Sequence, residues 1–503
     1  MAALDFLGRM FGRTGNSAYQ AARVGRRTMS WRPTRSGPNS SLGPALEELR
    51  AKSRDQIREN PTARAASEAF VSNLIGKGLT PLSKASDEAL RDQIADLWEE
   101  WSVVADADGV LDFAGLEALI ARAWFDGGEV FVRTRVRRLE DGLPVPLQVQ
   151  VIEGEVCPVD KNEALANGNT IKQGIEFDRL GRRVAYHFYD RHPHDIFGVE
   201  TSITSSALTR RIPARDVKHI FLPLRPGQIR GEPRLTQALI KLRDLDEYDD
   251  AELVRKKSVS KLIGFIKRVS EEFTQVGQAE DGYYDENGVE ANVQTVEPGT
   301  LVPLEDGEDV TLQQPPDVGG MYEVFVRQQV RMVAMSAGVL YEQITGDYFT
   351  INDRTYRAAH NEMRRRMEML QNQVMIAQFC RPVWQEFLGS AEMSGALALP
   401  TERAARRDAM RVRWVPHAWR YIHPVQEVDA EIKQVRAGFK SVDDVIVEQG
   451  GDPRRVESSI EAWNERADQG GRKSEADPRA GAGGSTPEGR EEQPPAGQEN
   501  SDA

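Results

Sequence analysis

Four groups of side chains could do chemistry. His187, His192 and His194 crowd the segment HFYDRHPHD, which would suit a transition metal if a further ligand and hydrogen-bonded supports converged on it. A solvated loop with incidental histidines is the plainer reading of the segment. DADGVLDF has the acidic spacing of a calcium loop, but Leu111 stands where such a loop needs its turn glycine if Asp106 is the first ligand. Cys157 and Cys380 lie more than two hundred residues apart and read as buried thiols in a reducing compartment rather than a disulfide scaffold. Arg364, Arg365 and Arg366 could meet phosphates, yet consecutive helical residues point in different directions, which suits a solvated, ion-paired face equally well. GxSxG, GxxxxGK[ST], HExxH and paired CxxC motifs are absent. No catalytic residue, metal or cofactor is expected.

A fifth feature is electrostatic. From Leu235 a helix starts with Leu235, Leu239 and Leu242 on one stripe; around and past Leu245 it carries Asp244, Asp246, Glu247, Asp249, Asp250 and Glu252 around much of its axis. Arg255, Lys256, Lys257 and Lys261 follow. A helix that is polar all round is bathed in water, bridges domains or lines an aqueous space. Continuous to Lys261, it would be roughly 40 Å long.

The elements around it divide the chain. Residues 41–125 show helical spacing, as in Leu90, Ile94, Leu97 and Trp101. From 127 to 222 the period becomes two: Val130, Val132 and Val136 alternate with Arg133, Arg135 and Arg137, and Asp141–Gly142 turns the chain into Leu147, Val149 and Val151. GIEFDRLGRRVAYHFY predicts another hairpin around Gly181. TLVPL, EDGE and DVTLQ predict a hairpin over Asp306–Gly307, with Pro303 confining the first strand to an edge. Helicity returns at Met321 with Tyr322, Val326, Val330, Val333 and Ala337 in one stripe. The loop YEQITGDYFTIN, without Lys or Arg, leads to a long helix from Asp353 that Pro382 is expected to end or kink. Asp353 is available to cap it. The fold class is α+β with antiparallel hairpins.

The 503 residues carry 65 Lys+Arg against 78 Asp+Glu, a net charge of −13, which excludes a protein that coats DNA by neutralising phosphates. Residues 1–40 net +6 and read as a flexible basic arm; residues 471–503 net −3 without Leu, Ile, Val or aromatic residues and read as a disordered tail. No apolar run approaches the ~20 residues of a membrane span, mean hydropathy is −0.52, and the N-terminal sequence has no signal-peptide pattern. A soluble protein or part of a soluble assembly is expected.

The order of segments resembles the lambda-type branch of tailed-phage portal proteins. The matching stretches are DFAGLEALIARAWFDGGEVFVR (112–133), LPLRPGQIRGEPRLTQALIKLRDLDEYDDAELVRKK (222–257), PGTLVPLEDGEDVTLQQP (298–315), VRQQVRMVAMSAGVLYEQITGDY (326–348) and NDRTYRAAHNEMRRRMEMLQNQVMIAQFCRPVWQEF (352–387). The resemblance implies an elongated, ring-forming subunit. Its parts would be a basic arm (1–40), an α+β wing (41–235), a first stem helix (236–265), a clip (266–318), a second stem helix (319–340), a tunnel loop (341–352), a long helix (353–390), further wing and crown (391–465) and a tail (466–503).

It further implies a twelve-subunit ring at one capsid vertex, made in the host cytoplasm and carried in the virion. Double-stranded DNA would be packaged and ejected through that ring. The implied partners are the terminase large subunit, major capsid protein and scaffold, and a head–tail adaptor; no membrane is involved. The tunnel loop would be Gly346, Asp347, Tyr348, Phe349, Thr350 and Ile351. The channel-lining stem would include Asp246, Asp249, Asp250, Arg255, Lys256 and Lys257, and the docking clip Glu305, Asp306, Gly307 and Glu308. The competing readings are a non-portal assembly or adaptor protein and a capsid-maturation enzyme.

Overall fold

A computed structural model describes residues 26–195, 209–259, 264–268, 283–284, 290–291, 308–312, 319–349, 351–419 and 421–471. The chain forms two compact units, one of Met1–Leu79 with Ser83–Arg411 and one of Thr80–Leu82 with Val412–Ala503.

In the first unit, helices Leu46–Glu59 and Pro61–Leu74 are separated by Asn60, whose side-chain oxygen accepts from Thr62 N (2.8 Å) and Ala63 N (3.1 Å) while Pro61 opens the second helix. Phe70 packs on Trp124 and Phe125 of the helix Phe113–Gly127. A larger aromatic cluster joins Trp98 and Trp101 of Glu88–Val103 to Phe113, Trp384 and Phe387. Trp101 is fully buried, and its indole N–H donates to Leu147 O at 2.8 Å.

Two antiparallel sheets follow as the period-two pattern predicts. Strand Glu129–Val136 lies between Leu147–Glu153 and Val217–Phe221 in a three-stranded sheet. The second sheet is ordered Glu163–Ala164, Thr170–Lys172, Ile175–Phe177, Arg183–Tyr189, Thr209–Pro213. Phe131, Ile175, Tyr186, Phe188, Ile212 and Val217 form a shared core. Gly181, at φ +78°, makes the expected turn, with the Asp178 carboxylate accepting from Leu180 N and Arg182 N.

The first long helix spans Leu239–Val259, and the strand Gly264–Arg268 takes up the last two residues of the range expected for that helix, Gly264 and Phe265. Glycine disfavours helix and Phe–Ile favours strand in GFIKR. That strand pairs antiparallel with Glu308–Leu312, Arg268 opposite Glu308. The DVTLQ segment thus pairs with this distant strand; residues 301–307, and with them Pro303 and the expected hairpin over Asp306–Gly307, lie outside the described residues. The second long helix spans Gly319–Ala337.

Pro382 does not end the last long helix. The chain runs helical through Asp353–Leu370, widens into a π-helical segment Gln371–Cys380, and continues as Arg381–Ser394. A proline ring clashes with the carbonyl four residues back in an α-helix; a wider preceding turn relieves that clash. The widened segment is also docked: Gln378 exchanges hydrogen bonds with Phe221 N (3.0 Å) and O (3.1 Å), and Gln371 donates to Leu74 O at 2.8 Å. Met363, Met367, Leu370 and Val374 are buried, so one face of this helix packs into the unit's core.

The basic arm is not free throughout. Asn39 donates to Gly227 O (2.9 Å) and accepts from Ile229 N (3.0 Å), pinning the arm's end to the loop before Gly231. Residues 1–25 lie outside the described residues. The second unit pairs Thr80–Leu82, the greater part of a strand that ends at Ser83, with Val412–Val415 and adds helices Pro424–Arg436, Val442–Glu448 and Pro453–Gln469. Its last helix runs four residues into the expected tail, of which 472–503 lie outside the described residues. Among the described residues, no helix is long and apolar enough to cross a membrane.

Candidate functional site

The two long helices run antiparallel: Arg234, just before the first, donates to Ala337 O at the end of the second (3.3 Å), while Tyr248 meets Tyr322 and Phe325. Three predicted stem acids have different surroundings. Asp246 accepts from Asn60 Nδ2 at 2.6 Å, Asp249 accepts from Tyr322 OH at 2.7 Å, and Asp250 is exposed. The Asp249 bond, and then burial, pushes the Tyr322 hydroxyl up to about 12. Arg255 pairs with Glu252 at 2.7 Å, and Lys256 lies over the Tyr322 ring at 5.2 Å; Lys257 is exposed. The first helix is not polar all round, because Ile240, Leu253 and Val254 are exposed apolar side chains, as are Val324, Phe325 and Met335 on the second.

Val330, Val333, Ala334 and Ala337 bury the opposite stripe of the second helix. Gly338 ends it at φ +83°. The Arg234 guanidinium lies 4.8 Å over Phe70; burial, with the charge of Arg366 second, brings it down to about 10. A cation at the carbonyl end of a helix complements its dipole.

The predicted loop begins with a short helix, Tyr341–Thr345, closed by Gly346 at φ +69°. Asp347 accepts from Phe349 N at 3.2 Å and faces Arg327 at 3.8 Å, so a basic residue from the preceding helix serves a loop that has none. Tyr348 rests on Tyr356, ring centroids 5.7 Å apart, whereas Phe349 is 99% exposed. Ile351 is half-buried; Thr350 lies outside the described residues. The cap of the following helix is Asn352, accepting from Thr355 N at 2.9 Å, rather than Asp353, which faces Arg357 at 3.4 Å inside the first turn. Of the clip residues, Glu308 starts its strand and Glu305, Asp306 and Gly307 lie outside the described residues.

Sequence reasoning missed two buried polar centres. Glu129 accepts from Arg50, from Arg230 (2.5 Å), from Gly231 N (2.8 Å) and faces His219 Nε2 at 2.9 Å, all sealed from solvent. Burial alone would raise its pKa, but the two guanidiniums hold the carboxyl well below its ordinary value. Burial pushes His219 down to about 4, leaving it neutral at pH 7. Glu117 is fully buried without a cation, accepting from Leu79 N at 2.8 Å and, at 3.4 Å, from the Cys380 thiol; burial pushes its carboxyl up to about 8. The available signals were Glu117 within the stripe Phe113, Ile120 and Ala121, and Glu129 on the same strand face as Phe131.

The His192 and His194 rings lie 5.9 Å apart, but His187 does not join them. His187 is buried beside Glu176 (3.4 Å), and His194 faces Glu47 (3.3 Å). Glu153, Glu155 and His192 bring ligand atoms within 4.8 Å of one another, but Arg54 already bridges both carboxylates at 3.2 and 3.0 Å. Asp106 spends its oxygens on the amides of Asp108, Val110 and Leu111, a turn rather than a calcium cage. Both cysteines are free and buried.

The family profile described as phage portal protein, lambda family, matches residues 24–371. The chain is 25% identical over 427 residues to the probable portal protein of Halomonas phage phiHAP-1, covering 82% of this chain and 79% of that protein. It is 24% identical over 265 residues to portal protein B of Escherichia phage lambda, covering 47% of this chain and 48% of that protein, about half the length of that relative. Among solved structures, a chain from the neck of a native gene transfer agent (GTA) particle with C12 symmetry is similar at TM-score 0.45 and 14% identity, covering 80% of this chain and 94% of that one. With the profile spanning well over half of its length, the chain belongs to the lambda family of phage portal proteins.

Proposed function

We propose that this chain is the repeating unit of a twelve-membered ring at one capsid vertex, through which double-stranded DNA enters on packaging and leaves on ejection. The family match over residues 24–371 carries this reading. The exposed Leu253, Val254, Val324 and Phe325 support it, because a monomer seldom leaves such neighbouring apolar side chains in water and adjacent copies would bury them.

In this reading the stem carboxylates of Asp246, Asp249 and Asp250 face the lumen, with Arg255, Lys256 and Lys257 as a local counter-ring. A sliding duplex must not be gripped, since every phosphate neutralised is a salt-releasing contact that holds it. Acidic walls repel it, and the hydrogen bonds from Asn60 and Tyr322 keep two of the carboxylates oriented. The loop from Gly346 to Ile351 approaches DNA with Phe349 as its tip; an aromatic ring makes contact without neutralising phosphate. The clip, including Glu305, Asp306, Gly307 and Glu308, docks the terminase large subunit and later the head–tail adaptor. Wing and arm meet major capsid protein and scaffold. The subunit supplies passage and docking, and the motor supplies the chemistry.

Light scattering after size exclusion, with negative-stain images, tests the assembly. A ring near twelve times 56.2 kDa is expected. A monomer that persists at high concentration and across salt conditions overturns it.

A further inference from the structure

Residues 26–35, RRTMSWRPTR, lie in the basic arm, and every side chain among them except that of Thr28 is exposed. Arg26, Arg27, Arg32 and Arg35 have no ion pair among the described residues, and the sequence carries no acid between Asp5 and Glu47 to supply one locally. The first lysine is Lys52, so the basic side chains of the arm are all guanidiniums. A guanidinium stacks on flat rings and meets a phosphate through two parallel hydrogen bonds, neither of which an ammonium does. Among these cations stands Trp31, 64% exposed and the most exposed of the eight tryptophans, with Met29 close by at 69%. The indole has no ring or cation partner among the described residues. The strip is also held in place. Trp31 N donates to Thr28 O at 3.1 Å in a turn, and Pro33 stiffens the stretch that follows. Beyond it, Arg225 donates to Ser36 O at 3.4 Å and Asn39 to Gly227 O at 2.9 Å.

We propose that residues 26–35 bind single-stranded nucleic acid, with Arg26, Arg27, Arg32 and Arg35 on the phosphates and the Trp31 indole stacked on a base, in addition to the protein contacts proposed for the arm. Cations that follow a backbone and an aromatic face that takes a base are the two parts of sequence-tolerant single-strand binding. A duplex answers only the first, because its base faces are already stacked on one another and the indole would stay in water. An acidic protein segment also answers the arginines but brings no base to the indole. The inference does not depend on ring formation.

The test uses the full chain and fluorescein-labelled oligothymidylate and oligouridylate of twelve nucleotides, read by anisotropy at low salt. Saturable binding is expected, and the strand bound more tightly identifies the strip as a DNA or an RNA site. If all four arginines neutralise a phosphate, log K should fall with log salt at a slope of about −2.8, and R32S/R35S should halve that slope. W31A should weaken binding about tenfold, equivalent to about 1.4 kcal/mol, with the salt slope unchanged; W31F, which keeps a stacking face, should retain most of the affinity. K52E, on an exposed helical position, should change neither. Thermal melts check folding, and W31F against W31A compares side chains that support no core. Failure of both strands to bind overturns the proposal, as does equal affinity of W31A and wild type. So does equal binding of a twelve-pair duplex or of a polyglutamate peptide at matched charge, since either would assign the arginines to anions in general.

Discussion

Glu129 and Arg230, 101 residues apart, form an ion pair at 2.5 Å in which neither side chain reaches solvent. The same guanidinium donates to Gln173 O (2.7 Å), Gly154 O (3.0 Å) and Cys157 O (3.1 Å). One arginine therefore stitches the loop after the β region to both sheets. Removing Arg230 leaves the buried Glu129 carboxylate with Arg50 as its remaining guanidinium and three backbone carbonyls without their donor, a cost well above the small net worth of an intact pair.

Arg230→Met should destabilise the first unit by about 3–5 kcal/mol, and Arg230→Lys should recover little, because an ammonium lacks the planar fork that spans three carbonyls and a carboxylate. Denaturant unfolding followed by tryptophan fluorescence measures it. A loss near zero for Arg230→Met would contradict the inferred role.

Glu117 and His219 give opposite pH dependences. A glutamate whose folded pKa is about 8 binds more protons folded than unfolded, so stability falls as pH rises from its unfolded value of 4.5 through 8. A histidine lowered to about 4 binds fewer, so stability falls as pH drops from 6.5 toward 4. Between 4.5 and 6.5 the two oppose each other; above 6.5 only Glu117 contributes a slope. Glu117→Gln should therefore abolish the decline between pH 6.5 and 8 and raise the melting temperature at pH 8. It keeps the acceptor for Leu79 N without the buried charge, a gain on the order of 4 kcal/mol at pH 8 by linkage. An unchanged pH slope in thermal melts would rule out this role for Glu117.

Asn352→Ala should cost about 1 kcal/mol as a lost helix cap, Asn352→Asp should restore it, and Asp353→Ala should cost less than half as much. Urea unfolding separates the two residues. If Asp353→Ala proves the costlier change, the cap has been assigned to the wrong side chain.

Phe349, almost wholly exposed, supports nothing in its own chain, so Phe349→Ala should leave stability within about 0.5 kcal/mol. Under the proposed function, deletion of the loop from Gly346 to Ile351 should leave rings intact while packaged DNA is lost or reduced. Wild-type DNA content in particles carrying the deletion would count against the loop's role.

Some of this protein is local enough to be legible in its sequence. Alternation in VFVRTRV and the turn at Gly181 depend on side chains a few residues apart, so period and turn chemistry suffice to specify those hairpins. The apolar stripe ending at Ala337 is legible for the same reason, as are the order of segments and the family they resemble. What only the tertiary structure decides are relationships across long sequence distances. The strand 308–312 pairs with 264–268, forty residues earlier in the chain, and a π-helical segment carries the last helix past Pro382 while docking Gln378 on Phe221. Asp246 and Asp249, alike in sequence, acquire different partners, Asn60 and Tyr322. Glu129 stays ionised beside two arginines while Glu117 is pushed toward neutrality with none. A carboxylate's charge in a low-dielectric interior depends on which cations the fold brings within a few ångströms, and no spacing along the chain encodes that distance.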